Sequence, residues 1–206
     1  DGIRDYKVTG VQTCALPISS CSAFVLLLIL GTLALYFYCG FHGEPDLQRI
    51  QPVFGVACLW WSIALLWLMA YPHSAQLWGT RFMRVLMGLL VLLPAWLAMV
   101  YLFSRDGGIF LVLALVIVVA AADIGAYFAG RQWGQRKLAP KVSPAKTWEG
   151  FAGGLCASAL CVLGMWLVAG SGHFPLAPTV IVGVITALSS VVGDLLESME
   201  IGRAHV

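Results

Sequence analysis

Six apolar segments, each about the length of a membrane-spanning helix, dominate this chain of 206 residues. Apolar side chains make up 60% of the sequence and charged ones only 11%, a balance that is unusual for a soluble domain. A helix needs about 20 apolar residues to cross a bilayer, and each segment is apolar on nearly every side rather than on one stripe. The segments cover residues 21–38, 53–70, 82–103, 109–129, 150–169 and 175–196. The sequence therefore predicts an all-α fold, a polytopic membrane protein with about six transmembrane helices.

Most basic residues of the connections lie on one side of the membrane if all six segments span it. These residues are Arg81, Arg84, Arg131, Arg136, Lys137, Lys141 and Lys146. The opposite-side connections hold Arg49 and Arg105, with acidic residues beside them. Because Lys and Arg favour the cytoplasmic side, we expect residues 130–149 to face the cytosol in a multi-pass protein of the inner cell membrane.

The connection 137–149 combines three lysines with two hydroxyl side chains: Lys137, Lys141, Lys146, Ser143 and Thr147. Residues 143–147 are interpreted as the entry into the next helix, with Pro144 setting the turn and Ser143 or Thr147 capping the helix. A helix N terminus with free amides, next to lysines, is a natural seat for phosphate. We therefore predict a phosphate-binding site here. The alternative is a basic loop that only sets orientation.

Acidic residues lie near the cytosolic ends of two apolar segments. An isolated carboxylate at the position of Asp123 is costly unless it is paired, hydrated or bound to a metal. Asp194 and Glu197 are three residues apart and would share one face of a helix. Since Mg²⁺ commonly uses one or two carboxylates together with substrate phosphates, we predict a divalent-metal site. The alternatives are a helix-packing role for Asp123 and a solvated helix end for Glu197.

Small residues beside these positions are interpreted as contacts between helices, which such residues allow by close backbone approach. They are Gly125, Ala126, Ala129, Gly130, Gly150 and Gly154. Glu149, in the first turn of the predicted helix, suits the helix dipole, and a catalytic role is the alternative.

The two ends of the chain differ from the rest. Residues 1–19 are polar and have no helical period, and residues 200–206 break off abruptly after an acidic helix end. Residues 8–19 and 200–206 resemble translated sequencing-adapter oligonucleotides. We expect both to be non-native and exclude them from fold reasoning, and we expect the natural chain to extend beyond them. The expected organisation is a leader at 1–19, N-terminal transmembrane helices at 20–129, a cytosolic basic loop with catalytic-type transmembrane helices at 130–199, and a tail at 200–206.

Three motifs together point to a known family. They read Ala-Asp-Ile-Gly-Ala-Tyr at 122–127, Lys-Leu-Ala-Pro-Lys-Val-Ser-Pro-Ala-Lys-Thr-Trp-Glu-Gly at 137–150, and Gly-Asp-Leu-Leu-Glu-Ser at 193–198. The chain resembles the phosphatidate cytidylyltransferases, the CDP-diacylglycerol synthases of bacterial membranes, over about residues 21–199. Ile124 stands where that family usually has Ser or Thr. The family's downstream His-Gly-Gly and Asp-Arg-x-Asp elements do not occur in this sequence.

The resemblance implies transfer of a cytidylyl group from CTP to phosphatidate, giving CDP-diacylglycerol and pyrophosphate, with Mg²⁺ as the cofactor. The implied catalytic residues are Asp194, Asp123 and Lys146, and the implied metal ligands are Asp194, Asp123 and Glu197. The implied substrate-binding residues are Lys137, Lys141, Ser143, Lys146 and Thr147. CTP, phosphatidate and membrane lipid are the expected partners. No nucleic acid is expected, and the chain is compatible with a homodimer.

Three other classes of protein remain open. A secondary transporter or ion-pathway protein would use Asp123 and Asp194 along its path, but it leaves the lysines and hydroxyls without a role. A polyprenol kinase or lipid kinase-like enzyme would share magnesium, phosphate and the cytosolic face. An assembly subunit without a ligand would have no use for the polar clusters.

Overall fold

The computed structural model describes residues 18–71, 80–169 and 175–204. Its elements follow in the order α1 (Ile18–Tyr38), α2 (Leu47–Met69), α3 (Arg81–Phe103), α4 (Gly108–Trp133), β1 (Lys137–Ala139), β2 (Ser143–Thr147), α5 (Trp148–Ala169) and α6 (Leu176–Ala204). Among these described helices, α2 to α6 are long and apolar enough to cross a membrane, and the searched part of α1, Ser22–Tyr38, is apolar but shorter. The prediction of an all-α polytopic membrane protein is confirmed. The small antiparallel sheet was not predicted.

Parts of the two predicted non-native ends, residues 1–17 and 205–206, lie outside the described residues. The backbone of residues 18–19 begins α1, and that of residues 200–204 continues α6. The origin of both ends stays a prediction.

Capping side chains set where α2 and α3 begin. The carboxylate of Asp46 accepts a hydrogen bond from the amide of Gln48 at 2.9 Å. The hydroxyl of Thr80 accepts one from the amide of Met83 at 3.2 Å. These bonds satisfy amides that have no partner within the helix. As a result α2 begins at Leu47, before the apolar pattern starts at residue 53, because Asp46 stabilises a polar first turn.

Two clusters of buried side chains mark opposite ends of the helix bundle. The hairpin-side cluster consists of Trp60, Ala64, Met87 and Met199. It joins the second half of α2, the first half of α3 and the C-terminal part of α6, and Val142 of the β1–β2 turn packs against it. The second cluster, at the other end, consists of Cys39, Ile50 and Leu97. The sheet therefore lies at the same end as the C terminus of α2 and the N terminus of α3, in agreement with the predicted alternation of the spans.

Small residues bring the backbones of α4 and α5 almost into contact. A β-carbon added at Gly153 would lie 2.9 Å from the carbonyl oxygen of Gly125, and one added at Gly154 would lie 2.8 Å from that of Ala122. Real β-carbons essentially never approach another heavy atom so closely. The packing role predicted for the small residues of these two helices is thus confirmed. This close pair places the end of α4 beside the start of α5, where the candidate site lies.

Candidate functional site

The chain between α4 and α5 forms an antiparallel β-hairpin. The paired positions are Lys137 with Thr147 and Ala139 with Ser143. Of the two predicted helix caps, Ser143 is wrong, because this segment pairs with β1 and α5 begins only at Trp148. Pro144 does not prevent the pairing, since proline is tolerated on edge strands and both strands of a two-stranded sheet are edges.

Thr147 ends β2 and caps α5. Its hydroxyl oxygen accepts a hydrogen bond from the amide of Gly150 at 3.1 Å, and its side chain is buried. Glycines leave the space for it, because β-carbons added at Gly130 or Gly134 would lie 3.2 and 2.9 Å from the hydroxyl oxygen. The capping role predicted for Thr147 is confirmed, whereas Ser143 lies within the strand. The Thr147 hydroxyl therefore fixes the junction between the hairpin and α5.

Glu149 connects the first turn of α5 to the segment that follows α4. Its Oε2 atom accepts hydrogen bonds from the amides of Gln135 at 3.1 Å and Arg136 at 3.2 Å. The amide of Trp148 donates to the carbonyl oxygen of Arg136 at 2.9 Å. Together with the Thr147 cap, these bonds give the first and third amides of α5, those of Trp148 and Gly150, acceptors within the chain. Two amides at the N terminus of α5 thus already have partners within the chain, and phosphate binding by this helix end stays a prediction.

A pocket of about 470 Å³ lies where the hairpin meets α4, α5 and α6. Its polar lining comes from three elements: Asp123, Tyr127 and Arg131 of α4, Lys146 and Thr147 of β2, and Asp194 of α6. Most of the remaining lining is small or apolar, as at Ala126, Gly154 and Val191. The structure thus brings together four predicted site residues from three distant parts of the sequence: Asp123, Lys146, Thr147 and Asp194.

Lys146 and Asp194 form an ion pair within this lining. The Nζ atom of Lys146 lies 3.0 Å from Oδ2 of Asp194, and the two side chains are 25% and 50% exposed. An ion pair this accessible contributes little to stability, on the order of 1 kcal/mol or less. Both groups remain accessible to an incoming ligand.

Asp123 lines the same pocket from α4 and is exposed. Asp194 and Lys146 line the same pocket, so the three ionisable groups face one space. Within one pocket, like charges repel and opposite charges attract. The two carboxylates are therefore balanced in part by the Lys146 ammonium group, and a further cation would be favoured between them.

The two pocket carboxylates fit a hard divalent cation, but the third predicted ligand does not join them. Glu197 is exposed on α6 and does not line the pocket. Among the residues that the structure describes, no group of three or more His, Cys, Asp or Glu side chains could hold a metal ion. Mg²⁺ is often bound by one or two carboxylates, with waters and phosphate oxygens completing its shell. Asp123 and Asp194 suit that type of site.

Three predicted substrate-binding residues lie on the hairpin outside the pocket lining. Lys137 and Lys141 are exposed, and Ser143 is partly buried. Lys141 precedes Val142, whose packing against the hairpin-side cluster holds the turn against the bundle. Roles for these three residues in substrate binding stay predictions.

Sequence reasoning missed Tyr127 and Arg131 as parts of the site. Both line the pocket, and Nη1 of Arg131 donates a hydrogen bond to the hydroxyl oxygen of Tyr127 at 3.1 Å. Arg131 was interpreted only as a charge that sets orientation. The spacing was informative, because residues 123, 127 and 131 follow one another at i+4 steps and therefore share one face of a helix.

Comparison with known proteins gives a family. The sequence model of the cytidylyltransferase family matches residues 14–203. A phosphatidate cytidylyltransferase of Pseudomonas aeruginosa is 44% identical over 152 residues, which are 74% of this chain and 56% of that protein. A phosphatidate cytidylyltransferase of Haemophilus influenzae is 39% identical over 163 residues, with the same two shares.

A third phosphatidate cytidylyltransferase, from Mycobacterium leprae, is 35% identical over 115 residues, which are 52% of this chain and 36% of that protein. The chain spans about half the length of the first two relatives. No solved structure matches it. The family match covers nearly the whole chain, including every residue of the pocket lining. The chain belongs to the cytidylyltransferase family.

Proposed function

We propose that this chain carries part of the active site of an enzyme that transfers a cytidylyl group from CTP to phosphatidate. The observation that supports this most strongly is the convergence of Asp123, Lys146 and Asp194 in one pocket at the hairpin end of the bundle. Membership of the cytidylyltransferase family and relatives that are phosphatidate cytidylyltransferases support the same reaction. The products would be CDP-diacylglycerol and pyrophosphate.

In this reaction a phosphate oxygen of phosphatidate attacks the α-phosphorus of CTP. A new P–O bond forms, and the bond to the β-phosphate breaks, releasing pyrophosphate. Catalysis of such a transfer depends mainly on positioning and on stabilisation of the phosphate charges. In the pocket, the Lys146 ammonium and Arg131 guanidinium groups supply positive charge for phosphate oxygens.

The ion pair of Lys146 with Asp194 gives the pocket a way to respond to substrate. An incoming phosphate group competes with the Asp194 carboxylate for the Lys146 ammonium group, from which Asp194 is 3.0 Å away. Once Lys146 turns to phosphate, the oxygens of Asp194 become free to act as donors beside those of Asp123. When bound by these two carboxylates, a divalent cation would neutralise part of the phosphate charge.

The position of the pocket suits a substrate that has one end in lipid. Next to Asp123, α4 exposes the large apolar side chains of Ile124 and Phe128, and α4 is apolar enough to cross a membrane. A diacyl lipid could therefore lie along α4 with its phosphate at the pocket. The basic residues of the hairpin end favour the cytosolic side, where CTP is available.

The test is an assay of the complete gene product that contains these residues, purified in detergent, with CTP, phosphatidate and Mg²⁺. Release of pyrophosphate that requires both substrates is the expected result. Release that requires only CTP, or ion flux in proteoliposomes without turnover, would overturn the proposal. This assay measures the activity of the protein without any substitution. Its result therefore does not depend on the role assigned to any one side chain.

A further inference from the structure

The base of the hairpin, defined here as residues 134–136 and 147–150, is held by hydrogen bonds of three residues. The carboxylate of Glu149 accepts bonds from the amides of Gln135 and Arg136 at 3.1 and 3.2 Å. The amide of Trp148 donates to the carbonyl oxygen of Arg136 at 2.9 Å. The Thr147 hydroxyl caps α5 within the same group of residues. These bonds thus fix the distance between the segment that leads from α4 into β1 and the junction of β2 with α5.

Lys146 lies directly next to this base. It is the residue before Thr147 in β2, and its ammonium group reaches Asp194 on α6 at 3.0 Å. Lys146 lies in a register shift of the hairpin, between the pairs Lys137–Thr147 and Ala139–Ser143, so Thr147 at the base is the paired residue nearest to it. The interactions at the base therefore determine where the Lys146 side chain begins.

The carboxylate of Glu149 is directed to the base and not to the pocket. Glu149 does not line the pocket that contains Asp123, Lys146 and Asp194. Both its oxygens accept bonds from backbone amides, with Oε1 also 3.3 Å from the amide of Arg136. A general base would instead need to reach the proton that it removes.

We propose that Glu149 is a positioning residue that holds the hairpin base so that Lys146 reaches the pocket. This proposal rests on the proposed function only for its effect on turnover. The single atom Oε2 accepts hydrogen bonds from both amides, so a side chain with one uncharged oxygen can fill the same role. Glutamine, which keeps one carbonyl oxygen on a side chain of the same length, should therefore replace glutamate, and alanine should not.

The first measurement is hydrogen–deuterium exchange of peptides covering residues 134–147 in detergent. In Glu149→Ala, exchange at Gln135 and Arg136 should become at least about tenfold faster, because these amides lose their acceptor. Glu149→Gln should stay close to the parent protein. Glu44→Ala, which removes an exposed acid from the α1–α2 connection, is the control and should change nothing here. Unchanged exchange in Glu149→Ala would overturn the proposal.

The second measurement is kcat/KM for CTP in the complete gene product. Glu149→Ala should lose about 10- to 100-fold, the size of effect expected when a catalytic group is misplaced by about 1 Å, and Glu149→Gln should recover most of it. If Glu149→Gln is as inactive as Glu149→Ala while the amides of Gln135 and Arg136 stay protected from exchange, the carboxylate charge itself takes part. The positioning role is then wrong. If the parent protein shows no CTP-dependent turnover, the proposed function fails, and the exchange experiment still decides whether Glu149 holds the base.

Discussion

Replacing Asp194 with asparagine separates a catalytic carboxylate from a structural one. The substitution keeps the volume of the side chain but removes its charge. In the structure the carboxylate is half exposed and pairs with Lys146 at 3.0 Å, so loss of the pair should cost about 1 kcal/mol of stability or less. The midpoint of thermal unfolding in detergent should fall by a few degrees at most.

The expected effect of Asp194→Asn on turnover is much larger. Neutralisation of phosphate charge by a carboxylate-bound cation is worth several kcal/mol, and about 1.4 kcal/mol corresponds to a tenfold change in rate. Turnover with CTP and phosphatidate should therefore fall by about 100- to 1,000-fold. The assay is pyrophosphate release by the complete gene product at saturating substrates, with unfolding measured on the same sample.

A second ion pair in the protein provides a matched control. Arg49 and Asp46 lie 3.1 Å apart at the opposite end of the bundle, and Asp46, at 41%, is about as exposed as Asp194. Asp46→Asn removes that pair, and asparagine can still cap α2. It should cost as little stability as Asp194→Asn and leave turnover unchanged. Near-normal turnover in Asp194→Asn, or a fall in both variants, would refute the assignment of Asp194 to the chemistry.

Three further predictions concern packing, capping and orientation. Gly153→Ala should destabilise the protein by about 1–3 kcal/mol, because the new methyl group overpacks the α4–α5 contact, whereas Gly164→Ala in the same helix meets nothing within 4 Å and should be neutral or stabilising. Thr147→Val should cost about 1 kcal/mol through loss of the α5 cap. A cysteine at Lys141 should react with an impermeant maleimide only from the cytosolic side, and one at Glu44 only from the other side.

Each of these predictions has a clear contrary outcome. Equal thermal midpoints for the two glycine variants would mean that α4 and α5 are not in close contact. Full stability of Thr147→Val, with Thr147→Ser as the variant that keeps the hydroxyl, would remove the capping role. Labelling of both cysteines from the same side would contradict the alternation of the spans. Unfolding in detergent measures the first two, and labelling of inverted and right-side-out vesicles measures the third.

The helices were predictable from sequence, because the length of an apolar segment is a local property that the bilayer selects. Their ends were less predictable, since polar caps such as Asp46 extend a helix beyond its apolar pattern. The segment at Ser143 was misread for a related reason. Ser, Pro and Thr occur both at helix starts and at turns and strand edges, and only pairing with Lys137–Ala139 decides between them.

The site itself was predicted in its residue types but not in its arrangement. Asp123, Lys146 and Asp194 carry costly charges in an apolar chain, which is why the sequence singled them out. The ion pair between Lys146 and Asp194 joins residues 48 positions apart, and no local pattern encodes such a contact. The role of Glu149 was hidden similarly, because its partners are backbone amides and a backbone amide carries no signature in the sequence.

The most direct test of the central claim follows the phosphorus atoms of CTP. The complete gene product is incubated with phosphatidate, Mg²⁺ and CTP that carries ³²P at either the α or the γ position. Cytidylyl transfer predicts that the α label enters the organic-soluble lipid and that the γ label leaves as pyrophosphate. Appearance of the γ label in lipid would identify a lipid kinase, and absence of both labels from lipid would contradict the proposed reaction.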